Sequence, residues 1–206
     1  MRTSAKIRKA NKASAEQLAT ALEETDPGMK QFSFSLKTSA DLVDDQREQM
    51  WNMFEENMYK FYETSSFGWD PQMKKAEMFD QLSRFIIVCH KDSCVTGQGS
   101  YIVAYTIFRF DAEEGQDVVY CYELQVSKDA RRCGLGKRLT QMLQEIGTKW
   151  GMEKLMLTVF RANDSALCFY ESIGFAVDET SPDFTGSSGY SQEVAFDYSI
   201  LSIRIP

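Results

Sequence analysis

The sequence has a single histidine, His90, and no serine or cysteine motif accompanies it. A histidine-led nucleophile therefore has little to stand on, and a histidine at a strand end reads as a surface residue. The five cysteines (Cys89, Cys94, Cys121, Cys133 and Cys168) are an odd set without a CxxC pair. They sit mostly in apolar runs, where a thiol packs as a small hydrophobe. Reduced thiols in an intracellular compartment and no metal site are expected. No apolar run is long enough to span a bilayer, and the first residues are basic rather than signal-like, so a soluble chain with no membrane partner is expected. Asn163-Asp164-Ser165 fits a glycosylation triplet, but such triplets are common by chance. The formal net charge is −7, which argues against a general nucleic-acid binder and suits a basic partner or substrate.

What is present suffices for one sizeable core. The chain has 206 residues and 43% hydrophobic content, enough for one domain with a short appendage. Residues 1–13 carry Arg2, Lys6, Arg8, Lys9 and Lys12 without an acid. They read as a solvated terminus, or else as a nuclear-import or substrate-region segment. Ser14 caps a helix over 14–24, with Leu18 and Leu22 paired, ended at Asp26-Pro27-Gly28. Residues 1–30 are thus a basic, helical amino-terminal extension and 31–206 a single domain. Phe32, Phe34 and Leu36 alternate as its first strand. A helix over 40–62 lines up Met50, Phe54, Met58 and Phe61, widened by Trp51 and Tyr62; only Tyr59 and Tyr62 are placed to face a ligand. Asp70-Pro71 starts a short helix with Met73, Ala76 and Phe79 inward. Strands over 85–89, 101–110 and 118–126 are joined too closely for crossover helices and are expected antiparallel, with turns through Gly99 and over 111–115.

The stretch 118–150, VVYCYELQVSKDARRCGLGKRLTQMLQEIGTKW, organises the rest. A buried strand leads through a glycine turn into a helix whose Leu135, Leu139, Met142, Leu143, Ile146 and Trp150 form one apolar stripe. A strand over 154–160 completes a parallel crossover. A helix capped by Asp164 or Ser165 and ended at Gly174, a strand at 175–177, a polar loop at 182–191 and a last strand at 194–203 finish a mixed α/β sheet flanked by helices. A helix that starts on glycines offers free N–H groups and the positive end of its dipole, a phosphate cradle. Arg131, Arg132, Lys137 and Arg138 add mobile positive charge. A dinucleotide-binding turn needs a third glycine and a first parallel strand, and a P-loop needs Ser or Thr where Arg138 stands. The remaining common ligand is the pyrophosphate of coenzyme A.

Arg131-x-x-Gly134-x-Gly136, preceded by Tyr122-Glu123-Leu124-Gln125-Val126, resembles the R/Q-x-x-G-x-G/A signature of the GCN5-related N-acetyltransferases. Asn163-x-x-Ala166-x-x-Phe169-Tyr170-x-x-x-Gly174-Phe175 is similar to that superfamily's second conserved stretch. FRFD at 108–111, VVYCYELQ at 118–125, MLTVFRAN at 156–163, SP at 181–182 and NMYKFYETSSFGW further resemble the N-alpha-acetyltransferase D family over residues 57–201. Phe67 departs from that pattern, where a tryptophan is expected.

The resemblance implies an acetyltransferase fold with an antiparallel first half and splayed central strands, and acetyl-CoA as cofactor. Backbone N–H groups over 133–138 (Cys133, Gly134, Leu135, Gly136, Lys137 and Arg138) would hold the pyrophosphate, with Arg131 and Arg132 at its rim. Strand residues Tyr122, Glu123, Leu124, Gln125 and Val126 would pair with the pantetheine arm and donate to the thioester oxygen. Thr158 and Asn163 would line the same side. The implied substrate is the amino-terminal serine of histones four and two-A, which begin Ser-Gly-Arg-Gly. Asp111 would meet the arginine, beside Glu113 and Glu114, and Tyr62, Tyr120, Tyr122, Thr180 and Tyr198 would form walls. An α-amine titrates near pH 8 and must lose a proton. Glu123, an acid in an apolar strand, is the expected general base, since burial strengthens a carboxylate as proton acceptor. The open alternative is an acid paired with a neighbouring arginine. Glu123 and the two tyrosines share one site only if a β-bulge or splay near Tyr122 breaks the alternation. Tyr170 is either a proton donor to the departing thiolate or a packing residue. The family implies histone tails as partners, a monomer without an auxiliary subunit, and a nuclear and cytoplasmic location. The same cradle would also serve a lysine or small-amine acetyltransferase, or a non-catalytic module binding coenzyme or histone tails.

Overall fold

The computed structural model describes residues 3–22, 27–91, 101–184 and 196–206. Among them seven strands build one sheet: β1 (Phe32–Thr38), β2 (Arg84–His90), β3 (Ile102–Glu113), β4 (Gln116–Val126), β5 (Lys154–Phe160), β6 (Ala176–Val177) and β7 (Tyr198–Arg204). Their order is β1-β2-β3-β4-β5-β7-β6, and β4–β5 is the one parallel pair. This is the mixed α/β sheet with an antiparallel first half that the pattern predicts. Arg2, Cys94, the helix end at Glu24, the turn through Gly99, the loop through Ser191 and the strand start at Val194 lie outside the described residues.

Among the described residues six α-helices cover the sheet: α1 (Ala5–Asn11), α2 (Ala15–Ala19), α3 (Asp44–Glu63), α4 (Pro71–Met78), α5 (Leu135–Trp150) and α6 (Asp164–Ser172). The crossover helix α5 buries Leu135, Leu139, Met142, Leu143 and Ile146 on one face, sharing a core with α1, α2 and α6. Gly147 lets α5 approach the sheet closely, since a Cβ there would lie 2.3 Å from Ile205 Cδ1 and 3.2 Å from Val119 Cγ2 and would force those side chains to move. On the other face Met50, Trp51, Met53 and Phe54 of α3 and Met78 of α4 pack against Phe85, Ile87, Tyr105 and Ile107. Each such side chain contributes roughly 1.5–3 kcal/mol by leaving water, offsetting the entropy of the ordered chain.

Four local expectations are corrected. The described part of the basic terminus is a packed helix rather than a solvated tail. Ser4 Oγ caps α1 by accepting from Ile7 N at 3.1 Å and donates to Asp117 Oδ2 at 2.8 Å, and Ile7 and Ala10 are buried. The β3–β4 connection is a two-residue turn at Glu114 and Gly115, both at positive φ (47° and 84°), so Asp111 lies in the ladder opposite Val118. Paired left-handed residues match the twist of a tight hairpin, which lets both strands run to their ends. In α4 Met73 is 71% exposed and Ala76 also faces out, while Lys74 and Met78 point inward. The cap of α6 is Asn163, whose Oδ1 accepts from Ala166 N at 3.2 Å, one residue earlier than expected.

Candidate active site

The parallel ladder between β4 and β5 is four pairs long, from Val118↔Lys154 to Cys121↔Leu157. Past Cys121, β4 stays with β3 while β5 stays with β7, so the two strands splay apart. A cleft of about 530 Å³ opens there, lined by β4 from Tyr120 to Gln125, by β5 from Met156 to Phe160, and by α3, α4 and α6. Tyr62, Tyr120, Tyr122, Glu123, Leu124, Gln125, Thr158, Asn163, Tyr170 and Thr180 of the sequence-predicted site meet in it.

The alternation of β4 is broken where the site requires it. Ile107 pairs with Glu123 but Phe108 pairs with Cys121, leaving Tyr122 as an extra residue. Residues opposite one another in a ladder share a face. Phe108 and Cys121 belong to the core under α5, whereas Ile107 belongs to the core under α3 and α4. The bulge therefore brings Glu123 to the α4 side together with Tyr122. In a regular strand the carboxylate would point into the apolar layer beneath α5.

Glu123 is 6% exposed and paired on both oxygens. Lys74 Nζ lies 2.8 Å from Oε1, and Gln125 Nε2 donates to Oε2 at 2.9 Å. A carboxylate has about four lone-pair positions, so this leaves capacity for a further donor. The same ammonium contacts Glu77 Oε2 at 2.5 Å and stands 5.3 and 5.2 Å from the ring centres of Phe54 and Tyr62. Burial alone would push the Lys74 ammonium down; Glu123, Tyr62 and Glu77 outweigh it and hold the group well above the ordinary lysine value. The partner of Glu123 is thus a lysine from a distant helix rather than an arginine at the sheet edge. Nothing local to Lys74 announces this; only the need of a buried acid for a cation points to such a residue.

The tyrosines are kept as neutral hydroxyls. Burial pushes Tyr62 up to about 12, and the neighbouring Glu123 adds to it. Burial likewise raises Tyr120 to about 12, although its hydroxyl shares a 2.6 Å hydrogen bond with Thr158 Oγ1. Tyr122 is raised by burial while the Arg109 guanidinium, 4.2 Å from its ring centre, works against that. Tyr170 is enclosed against Phe169 and Phe175, and burial holds its hydroxyl well above the usual tyrosine value. Thr180 lies at the cleft with its N–H and hydroxyl both donating to Asp178 Oδ1. Tyr198 stands behind Phe67, their ring centres 5.2 Å apart, and supports the wall from outside the lining. Asp111 also lies outside the lining, accepting from Ala112 N at 2.8 Å, whereas Glu113 is in it. Burial raises the Glu113 carboxyl, and Asp111, Glu114 and Asp178 push the same way.

The cradle begins at Gly134, the N-cap of α5, at φ 80° and with no side chain to cap the helix. Arg138 N already donates to Gly134 O at 3.0 Å, so the open donors are Leu135, Gly136 and Lys137, and the expected series stops one residue short of Arg138. The Arg138 side chain is not mobile charge either: it is buried, with Nη1 2.5 Å from Glu145 Oε1. Arg131, Arg132, Cys133 and Lys137 are exposed around the turn. The second signature glycine has a different reason from the first. A Cβ on Gly136 would stand 3.1 Å from the Phe169 ring, so the two motif stretches meet as α5 packs on α6. A helix amino terminus with an uncapped glycine entry, continuous with a splayed strand edge, fits a diphosphate carrying an extended arm.

Comparison with known proteins agrees with this geometry. Residues 47–175 match the model of the acetyltransferase (GNAT) family. Arabidopsis thaliana Naa50, solved with the bisubstrate analogue CoA-Ac-MVNAL, is similar at 19% identity with a TM-score of 0.52, over 83% of this chain and 98% of that one. Tetrahymena GCN5 is similar at 14% identity and a TM-score of 0.58, over 84% and 96%. The ribosomal-protein-S18-alanine N-acetyltransferase of Escherichia coli is similar at 18% identity and a TM-score of 0.54, over 84% and 94%. The family match over most of the chain, on a fold shared with these structures, makes this protein a member of the GNAT acetyltransferase family, whose cofactor is acetyl-CoA.

Proposed function

We propose that the protein acetylates the α-amine of an amino-terminal serine, on termini of the Ser-Gly-Arg-Gly type carried by histones four and two-A. The observation that carries this reading is the cleft itself, where the bulge at Tyr122 gathers Tyr62, Tyr120, Tyr122 and Glu123 at the mouth of the strand splay. The tyrosine rings narrow the entrance to suit two small residues, and Phe67 closes one side with a smaller ring than tryptophan. The acids Asp111, Glu113 and Glu114 cluster beyond it, complementary to a following arginine. Acetyl-CoA supplies an activated thioester. The open N–H groups of Leu135, Gly136 and Lys137 would hold its diphosphate, with Arg131, Arg132 and Cys133 around the turn, and the splayed edge of Tyr122–Val126, whose last carbonyl already accepts from Asn57, would orient its arm. Glu123 receives the amine's proton through a remaining lone pair, and Tyr170 faces the cleft as proton donor to the leaving sulfur. The catalytic chain acts as a monomer on histone tails, in the nucleus and cytoplasm, with the helices α1 and α2 of the 1–30 extension bracing the 31–206 domain.

The test is mass-spectrometric location of the acetyl group on a histone-four tail peptide, beside rates on the same peptide pre-acetylated at its serine and on a polyamine. Acetyl on the serine amine, and no turnover of the blocked peptide, is the expected result. Acetyl on an internal lysine would sink the terminal-amine reading, and unchanged turnover in Tyr170→Phe would remove that donor.

A further inference from the structure

Asn57 stands on α3, where it meets both the end of β4 and the turn that leads into α5. Its Oδ1 accepts from Arg131 Nη2 at 2.7 Å. Its Nδ2 donates to Gln125 Oε1 at 3.0 Å and to Val126 O at 3.3 Å. Gln125, buried at 5% exposure, donates from Nε2 to Glu123 Oε2. These contacts form one chain with one direction. The Arg131 guanidinium has only donors, so Asn57 must turn its carbonyl toward it and its amide toward Gln125. Gln125 must then present its own amide to the carboxylate. Lys74 closes the far end from the other oxygen. Flipping either amide would set two donors or two acceptors face to face, so the orientation at one end fixes that at the other. Hydrogen bonds strung in one direction polarise each other, more so away from water.

We propose that Asn57 and Gln125 are positioning residues that couple the phosphate cradle, through Arg131, to the orientation and proton-accepting state of the Glu123 carboxylate. The proposal rests on the reading of Glu123 as proton acceptor. When Arg131 turns toward a diphosphate, Asn57 loses its cationic partner and the hydrogen bond reaching Glu123 weakens. Binding at the cradle thereby sets the carboxylate for the amine. The other groups electrostatically coupled to Glu123 are Lys74 from α4, Tyr62 from α3, Tyr105 from β3, Cys121 from β4 itself and Tyr170 from α6. The last four stay neutral across the working range, each raised first by burial, so Lys74 and the amide chain decide the acid's surroundings.

Two measurements test this. In the cofactor-free protein, the side-chain amide resonances of Asn57 and Gln125 are followed by NMR in the native chain and in Arg131→Ala. Arg131 contacts only the first amide, yet both are expected to shift; an unmoved Gln125 amide would overturn the chain. Asn57→Asp keeps the acceptor for Arg131 but removes the donor. We expect kcat to fall at least tenfold and the acid limb of the kcat pH profile to move. A native kcat and pH profile in that variant would overturn the coupling. Glu123→Gln separates the two ideas: native activity there removes the proton acceptor, while the amide resonances still decide whether the chain exists.

Discussion

Breaking a buried ion pair from one side leaves a charge without a partner, which costs more than the pair itself contributes. Lys74 and Glu123, with side chains 11% and 5% exposed, are such a pair. Lys74→Met is expected to destabilise the protein by about 3 kcal/mol, and Lys74→Met with Glu123→Gln to recover most of it. Urea unfolding of the two variants decides the matter; a single-variant loss under about 1 kcal/mol would show that water in the cleft, rather than Lys74, balances the carboxylate. At this scale the sequence is informative where chemistry is unusual for its setting. Glu123 stands out because an acid interrupts an apolar strand. Lys74 does not, because a lysine on a short polar helix is ordinary and its partner is far along the chain. Asp111 and Glu113 are told apart only by the exact end of a hairpin, which rests on two φ angles.

Elements defined by local periodicity are the legible ones. The α5 stripe and the glycine turn before it follow from spacing alone, and β5 follows from an apolar run broken only at Thr158. Helix α4 is misread because Met73 and Ala76 look like a face, yet the buried ammonium of Lys74 rotates the helix away from it. Helix α1 is misread because cations surround Ile7 and Ala10, and nothing nearby shows the sheet they cover. The turn into α5 gives an element-level prediction. Gly134 holds φ 80°, and a Cβ there would also sit 2.9 Å from Met29 Cε. Gly134→Ala should cost about 1–2 kcal/mol of stability from the left-handed backbone. It should also weaken acetyl-CoA binding measured by calorimetry, because the following N–H groups would turn away. Native affinity in that variant would place the diphosphate elsewhere.

For the whole molecule, the ionisable groups set a plateau of stability with two distinct edges. Burial alone would raise Asp178, but hydrogen bonds from Ser202, Thr180 and Lys154 outweigh it and bring it to about 2, against an ordinary 3.8. A depressed folded value means stability present above pH 4 and lost as pH falls toward 2. Tyr62 and Tyr120, raised to about 12 from 10, work in the opposite sense: their stability is whole below pH 10 and is lost as pH rises to 12. Thermal unfolding across pH should therefore decline at both ends, and Asp178→Asn should flatten the acid edge alone. An unchanged acid edge in that variant would remove Asp178 as its source. The extra residue at Tyr122 has a consequence for how this chain can vary. The face shown by each position of β4 depends on whether the count from the hairpin turn is odd or even, and the bulge changes that parity once. Insertions or deletions between Gly115 and Glu123 should be tolerated in pairs, or with a second bulge, while a lone one exchanges the acid for its apolar neighbour. In related chains, a single-residue gap in this interval would mark a change of chemistry rather than neutral drift in length.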